Sequence, residues 1–220
     1  MPYTLKHYEC SNCGKIVIKP CFRFPLLVGC EYLYSDQIQT MPLVPKEPTI
    51  LKCNKCNSFF WFGAVIKRKE HESDILKNID YLKPLNGSDF IEALEVKVYR
   101  KSNEEILIRT WLWRCWNKRL FYNPLEREKS LGHPESITIP ENLIDTFEYN
   151  CFRLVELLDT KNYSGNKMAI AEIYRTMGWF SKSISVLEEI DRDIEGKKLR
   201  MELCKKKIDA AVQICMLWIA

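Results

Sequence analysis

The chain has 220 residues, 46% hydrophobic and 28% charged, with a formal net charge of +4. That length can bury a real core in one or two domains, and the composition is ordinary for a soluble globular protein. The positive excess is too mild to argue for nucleic acid, because dedicated binders concentrate more basic charge on one face.

Residues 1–70 read as β-rich. Tyr8 leads into Cys10-Ser-Asn-Cys13-Gly14, and Lys15 to Lys19 reads as a short strand bounded by Pro20. Phe22 to Val28 suggests a further extended run, interrupted by Pro25. Pro42, Pro45 and Pro48 rule out a helix over 41–48 and make it an extended, ordered loop. Thr49 to Lys52 then enters a second pair, Cys53-Asn-Lys-Cys56-Asn57, as a strand, and Phe59 to Ile66 leaves it as another.

Each Cys-x-x-Cys is followed by a residue that tolerates a left-handed backbone. Two thiolates two residues apart grip one face of a tetrahedral ion only where the chain turns sharply, and Gly14 or Asn57 makes that turn at low steric cost. Two facing knuckles supply four sulfurs. Cys10, Cys13, Cys53 and Cys56 are therefore the expected ligands of one structural Zn2+, with no open position for water or substrate. The 39 residues between Cys13 and Cys53 exceed the usual spacing of about 15–20, which leaves two independent pairs, reduced or disulfide-bonded, as the alternative. Cys21 and Cys30 lie in the insert without knuckle spacing and are expected to pack, with extra ligation as their alternative. Cys115, Cys151, Cys204 and Cys215 lie mostly in apolar helical patterns, where a reduced cysteine acts as a small buried hydrophobe. His7, His71 and His133 are isolated and read as surface or core histidines.

A charged run beginning at Lys67 introduces a connection over 71–87, and residues 88–220 read as helical. Ser88 is the expected cap of a helix from Asp89 to Tyr99. Ser102-Asn-Glu-Glu105 reads as a capping box opening a helix with Ile106, Ile108, Trp111, Leu112, Cys115, Trp116 and Leu120 on a wide apolar face. Trp111, Trp113 and Trp116 among Arg109, Arg114, Lys118 and Arg119 resemble a base-stacking platform, but their aliphatic neighbours at core spacing favour a core helix. Residues 121–140 are loop-like. A third helix is expected from Pro140 to Leu158, burying Leu143, Phe147, Phe152, Val155 and Leu158. A helical hairpin over 164–192 and a last helix from Glu195 to Leu217 complete the region. The basic stretch from Lys197 to Lys207 reads as a solvated face, with an anionic partner as its alternative.

Within the hairpin, Ala171, Tyr174, Gly178, Phe180, Ser183, Leu187 and Ile190 resemble the small, aromatic and apolar positions of a tetratricopeptide-type repeat, in one recognisable copy. Such a repeat needs neighbours to bury its face. Tyr34-Ser-Asp36, Pro42-Leu-Val-Pro45-Lys-Glu-Pro48, Lys52-Cys53, Cys56 and Phe60-Trp61, together with the string from Ala171 to Phe180, make the chain similar to a group of uncharacterised bacterial proteins. That group pairs an N-terminal zinc ribbon with a tetratricopeptide-like C-terminal region; it carries Gly where this chain has Gln37. The resemblance covers roughly residues 8–62 and 140–190 and implies architecture and zinc, not a reaction.

The expected fold class is α+β: a zinc ribbon with a long insert (1–70), a connection (71–87) and an all-α, tetratricopeptide-like helical bundle (88–220). There is no phosphate-binding Gly-rich loop, no Gly-x-Ser-x-Gly and no paired His on a helix. The functional expectation is a non-enzymatic, zinc-binding interaction or adaptor protein that docks a protein partner on its helices, with no membrane and no small-molecule substrate. The second reading is nucleic-acid binding through Lys15, Lys52, Lys55 and Lys67 to Lys69, which requires Phe59 or Trp61 exposed on the same face. A thiol-active redox enzyme is the third. Without a secretory signal or an apolar span of roughly 18 residues, the expected compartment is the cytoplasm.

Overall fold

The computed structural model describes residues 3–22, 29–34, 39–40, 50–61, 85–117, 119–120, 141–160, 164–191 and 196–219. The proline-rich segment, most of the connection, residues 121–140, His71, His133 and the basic run from Lys67 lie outside this set.

Each cysteine pair sits at the closed end of an antiparallel hairpin. β1 (Tyr3–Glu9) and β2 (Ile16–Phe22) meet with Glu9 opposite Ile16. β5 (Ile50–Lys52) and β6 (Phe59–Trp61) meet with Lys52 opposite Phe59. β2 continues through Pro20, the residue expected to end it. Both strands of a two-stranded ribbon have an outer edge, where a missing N–H costs no ladder bond. From the insert, β3 (Gly29–Tyr34) pairs with β4 (Gln39–Thr40) and, on its other side, with β8 (Ala211–Ile219). β7 (Arg119–Leu120) runs parallel to β8, giving the order β4-β3-β8-β7.

The helices are α1 (Gly87–Glu95), α2 (Ser102–Trp116), α3 (Ile144–Asp159) preceded by a 3-10 turn (Glu141–Leu143), α4 (Ser164–Thr176), α5 (Phe180–Glu188) and α6 (Lys197–Lys205). Each packs on the next in the chain, and α4 also touches α6. Ile50, Phe90, Ile108, Leu112, Trp113, Trp116, Phe147, Cys151, Leu154 and Ile173 form the main core. Met168, Ala171, Leu187 and Ile190 form a second one beneath α5. None of the described helices is long and apolar enough to cross a membrane.

Several local expectations are corrected. The last helix stops at Lys205, and the second half of the stretch expected to be helical is β8, so residues 88–220 are not all-α. Lys207 turns left-handed (φ 54°), the Lys207 N–H bonds to Cys204 O at 3.0 Å, and the Ile208 N–H bonds to Leu203 O at 2.9 Å. That closure ends α6 and releases a β-branched, apolar segment to the waiting edge of β3. α1 is capped by Asn86, not Ser88: Asn86 Oδ1 accepts from Asp89 N–H at 3.0 Å and Asp89 Oδ2 accepts from Asn86 N–H at 3.1 Å. The Ser102 box does not form. Glu104 instead accepts from Arg100 N–H at 2.6 Å, while Glu105 turns inward to Arg109. On α3 the buried stripe runs through Phe147, Asn150, Cys151, Leu154 and Leu157, and Phe152 is left 38% exposed against the Trp179 ring.

The tryptophans of α2 serve the core. Trp113 and Trp116 are buried, and Trp113 Nε1 donates to Thr176 Oγ1 at 3.0 Å. The α4–α5 turn closes as its sequence implies. Gly178 (φ +76°) donates to Arg175 O at 2.9 Å and Trp179 N–H to Tyr174 O at 2.8 Å, while the Tyr174 and Trp179 rings stack at 5.9 Å. Buried Ser183 donates to Ala171 O at 2.7 Å, so the two helices meet closely at their small residues. A buried ion triad ties α4 to α6: Arg175 Nη2 lies 2.7 Å and Arg200 Nε 3.2 Å from the Glu172 carboxylate. Arg175 Nη1 also donates to Ile208 O beyond α6.

Candidate metal centre

The two knuckles are built alike. After β1, the Cys10 N–H donates to Lys15 O at 2.9 Å and the Gly14 N–H to Cys10 O at 2.9 Å. After β5, the Cys53 N–H donates to Ser58 O at 2.9 Å and the Asn57 N–H to Cys53 O at 2.8 Å. Gly14 (φ 67°) and Asn57 (φ 57°) supply the left-handed step in each. A side chain at Gly14 would meet only Glu9 Oε1 at 3.6 Å, so the position demands a conformation rather than space.

The hairpins face each other and bring all four predicted residues together. Cys10 Sγ lies 3.6 Å from Cys56 Sγ and Cys13 Sγ lies 3.7 Å from Cys53 Sγ, and all four sulfurs fall within 4.8 Å of one another. Bonds of about 2.3 Å to a central ion set tetrahedral S···S edges near 3.8 Å, whereas a disulfide needs about 2.05 Å. The four thiols are free, and their spacing fits a metal ion held by protein sulfur alone. Cys10 and Cys53 are buried against Leu51 and Phe60, while Cys13 and Cys56 are half-buried on the outer side.

Two further residues join the knuckles: Asn12 Nδ2 donates to Ser58 Oγ at 2.9 Å. Their signal in the sequence was slight, a polar residue inside one knuckle and a hydroxyl just after the other. Both shape the acidity of the cluster. The Ser58 hydroxyl and backbone N–H, helped by Asn12, push the Cys56 thiol down to about 5. For Cys13 the Lys15 N–H acts downward, but burial and the sulfurs of Cys56, Cys53 and Cys10 outweigh it and leave the thiol at about 11. An ion held by the four sulfurs would displace the remaining thiol protons. Away from the cluster, burial pushes the thiols of Cys151 and Cys204 up. Cys21 lies in β2 and Cys30 in β3; their ligand role concerns side chains outside the described set.

The second hairpin has two working faces, as the strand period of two requires. Leu51 and its cross-strand partner Phe60 point to the sulfurs, whereas Ile50, Phe59 and Trp61 pack into the helical core. Trp61 Nε1 donates to Val98 O at 2.9 Å. Lys52 Nζ reaches Asp89 at 2.9 Å and Glu92 at 2.6 Å on α1, and stands 5.2 Å from the Phe59 ring centroid. The two ion pairs went unread in the sequence because the acids lie 37 and 40 residues away. Lys52 is therefore engaged within the protein, and Phe59 and Trp61 are packed rather than displayed. Lys55 is exposed at the knuckle tip. No protein-family model, curated protein or solved structure matches this chain.

Proposed function

We propose that this chain is a non-enzymatic interaction protein in which Cys10, Cys13, Cys53 and Cys56 hold one structural Zn2+ and a tetratricopeptide-like helical region docks a protein partner. The observation that carries the reading is the sulfur tetrahedron completed by the protein itself, which leaves no ligand position for a substrate. Four thiolates favour zinc or iron over magnesium or calcium, and the absence of any histidine or carboxylate from the set suits a structural ion. Bound zinc would cross-link the two hairpins, and through β5 and β6 it would brace the helices. The tetratricopeptide-like reading is supported by helices packed in chain order and by the close Ala171–Ser183 approach.

Metal analysis of the purified chain tests the centre. One zinc per chain is expected, with loss of both zinc and thermal stability in Cys53→Ser; iron, or no metal, would sink it. Titration with labelled DNA and RNA across a salt series tests the partner class. Saturable binding that weakens steeply with salt would transfer the reading to nucleic acid, because phosphate contacts release counterions.

A further inference from the structure

We propose that the cleft between α1, α2 and α3 binds a monocarboxylate bearing an apolar arm. The inference is independent of the metal centre and of the docking reading. The cleft encloses about 360 Å³, within the range of small-ligand sites of roughly 300–1,000 Å³. Ile91, Leu94 and Leu112 give it an apolar floor, and Tyr99 and the 64% exposed Tyr149 stand at its rim.

Into this apolar setting the fold brings a guanidinium. Arg109 is 6% and Asn150 1% exposed, and both line the cleft. Arg109 is held from behind: Nε donates to Glu105 Oε1 at 2.8 Å, Nη1 donates to Asn150 Oδ1 at 3.3 Å, and Asn150 Nδ2 donates to Arg109 O at 3.1 Å. Its Nη2 has no hydrogen-bond partner among the described residues, yet it is not among the side-chain atoms sealed from solvent without a partner. Asn150 Nδ2 likewise has no second acceptor among the described residues. A fixed guanidinium edge with a neighbouring amide N–H is the donor arrangement that a carboxylate fits.

Charge sets the class of ligand. Glu105 lies 2.8 Å from Arg109 and 3.4 Å from Arg153, and Arg153 pairs more closely with Glu156 at 2.9 Å, so this cluster is balanced in charge and the outer edge of Arg109 offers fixed donors. Lys97 adds a cation at the lip, while Glu95 beside it opposes a second negative charge. A singly charged carboxylate therefore suits the cleft better than a dianion. The Tyr149 ring lies 5.7 Å from Arg109 Cζ, a cation–π contact that leaves in-plane N–H groups available for hydrogen bonds. The same chemistry is offered by a free aliphatic acid or by a peptide ending in leucine.

NMR titration of the full, metal-loaded chain decides among these sources, using octanoate, octanamide, an acetylated peptide ending in Ala-Leu with a free carboxylate, and its C-terminal amide. Expected is saturable binding of a carboxylate probe, with shifts at the Arg109 Nε–H and the Asn150 side-chain amide, and binding of its amide weaker by about tenfold or more. Arg109→Lys should reduce carboxylate affinity about tenfold and leave the amide unchanged, because it removes the planar fork but keeps the charge. Thr146→Trp, filling the cleft from α3, should abolish binding of both. Tighter binding of the acid peptide than of octanoate would identify a protein C-terminus as the source, and the reverse order a free acid. Equal affinity for acid and amide, binding unchanged in Thr146→Trp, or no saturable binding of either carboxylate would overturn the proposal. Should Arg109→Lys fail to fold, the acid-to-amide ratio of the parent and the Thr146→Trp variant decide it.

Discussion

Gly87 opens α1, and by local reasoning alanine there should stabilise the protein by about 0.4–1 kcal/mol through the unfolded chain. Packing argues the reverse. A Cβ on Gly87 would stand 2.7 Å from Cε2 and Cζ2 of Trp116 and 2.8 Å from its Nε1, where relaxed carbon contacts lie at about 3.5–4.0 Å. The indole has little room to retreat. It is 9% exposed and meets the Phe147 ring edge-on, with centroids 5.5 Å apart at 69°. Overpacking of this kind costs about 1–3 kcal/mol, so Gly87→Ala should be destabilised by about 1–2 kcal/mol after the local gain is subtracted. For a chain of this size that is a fall in Tm of about 2–8 °C, measurable by thermal unfolding of the metal-loaded protein. Trp116→Phe in the same chain should relieve the clash, so the double variant should lose less than the sum of the single losses. A Gly87→Ala protein that melts at or above the parent would refute the close approach of α1 to the end of α2.

Lys207 holds a left-handed conformation (φ 54°) that costs a side-chain-bearing residue about 1–2 kcal/mol; Lys207→Gly should raise the urea midpoint by the equivalent of about 0.5–1 kcal/mol, once glycine's own entropy is subtracted. At Gly178 (φ +76°) no atom lies within 4 Å of a built Cβ, so Gly178→Val should lose about 1–2 kcal/mol from backbone strain alone and Gly178→Asn clearly less. Identical melting of both with the parent would contradict the α4–α5 turn. Lys52→Met should cost about 1 kcal/mol, because its two ion pairs are only partly buried. Glu92 and Asp89 raise the Lys52 ammonium above its ordinary 10.5, so the pairing is complete below that pH and lost as pH climbs through the raised value. The parent's advantage over Lys52→Met should therefore shrink in strong alkali, and an advantage that grew there would reverse the assignment. Glu172→Gln takes one carboxylate from Arg175 and Arg200, which are buried and keep other partners, and should cost up to about 3 kcal/mol in urea unfolding. A loss under about 1 kcal/mol would mean that the triad is not a dry ion cluster.

The sequence was legible where a backbone requirement carried its own residue. Both knuckles could be read because Cys-x-x-Cys is followed by Gly14 or Asn57, and the α4–α5 turn because glycine stands at 178. The same closure ends α1 and α6, but with lysine in the left-handed position. Lys97 (φ 51°) donates to Leu94 O at 3.2 Å and the Val98 N–H to Ala93 O at 3.2 Å, as Lys207 and Ile208 do after α6. Lysine gives no stop signal, so both helices were expected to run on, to Tyr99 and to Leu217. Past Lys207, Val212, Ile214, Met216 and Leu217 satisfy a helical stripe and a buried strand equally well, and pairing with β3 on one side and β7 on the other decides between them. The Ser102 box failed for a related reason: Glu105 had a stronger use facing Arg109 inside the protein than capping at its surface.

The pairing of β3 with β8 sets a timetable for biosynthesis. β3 leaves the ribosome before its partner, which follows some 180 residues later, an interval of about 10–40 s at 5–20 residues per second. Both knuckles and the hairpin that docks on α1 and α2 are complete well inside that interval. The sulfur cluster can thus close first and fix the two ends of the insert, confining β3 to a loop of set length until β8 arrives. Through that interval the β8-facing edge of β3 stands open to strands of neighbouring nascent chains. Assembly then has an early stage in which the two knuckles meet and a late one governed by elongation speed and crowding on the polysome.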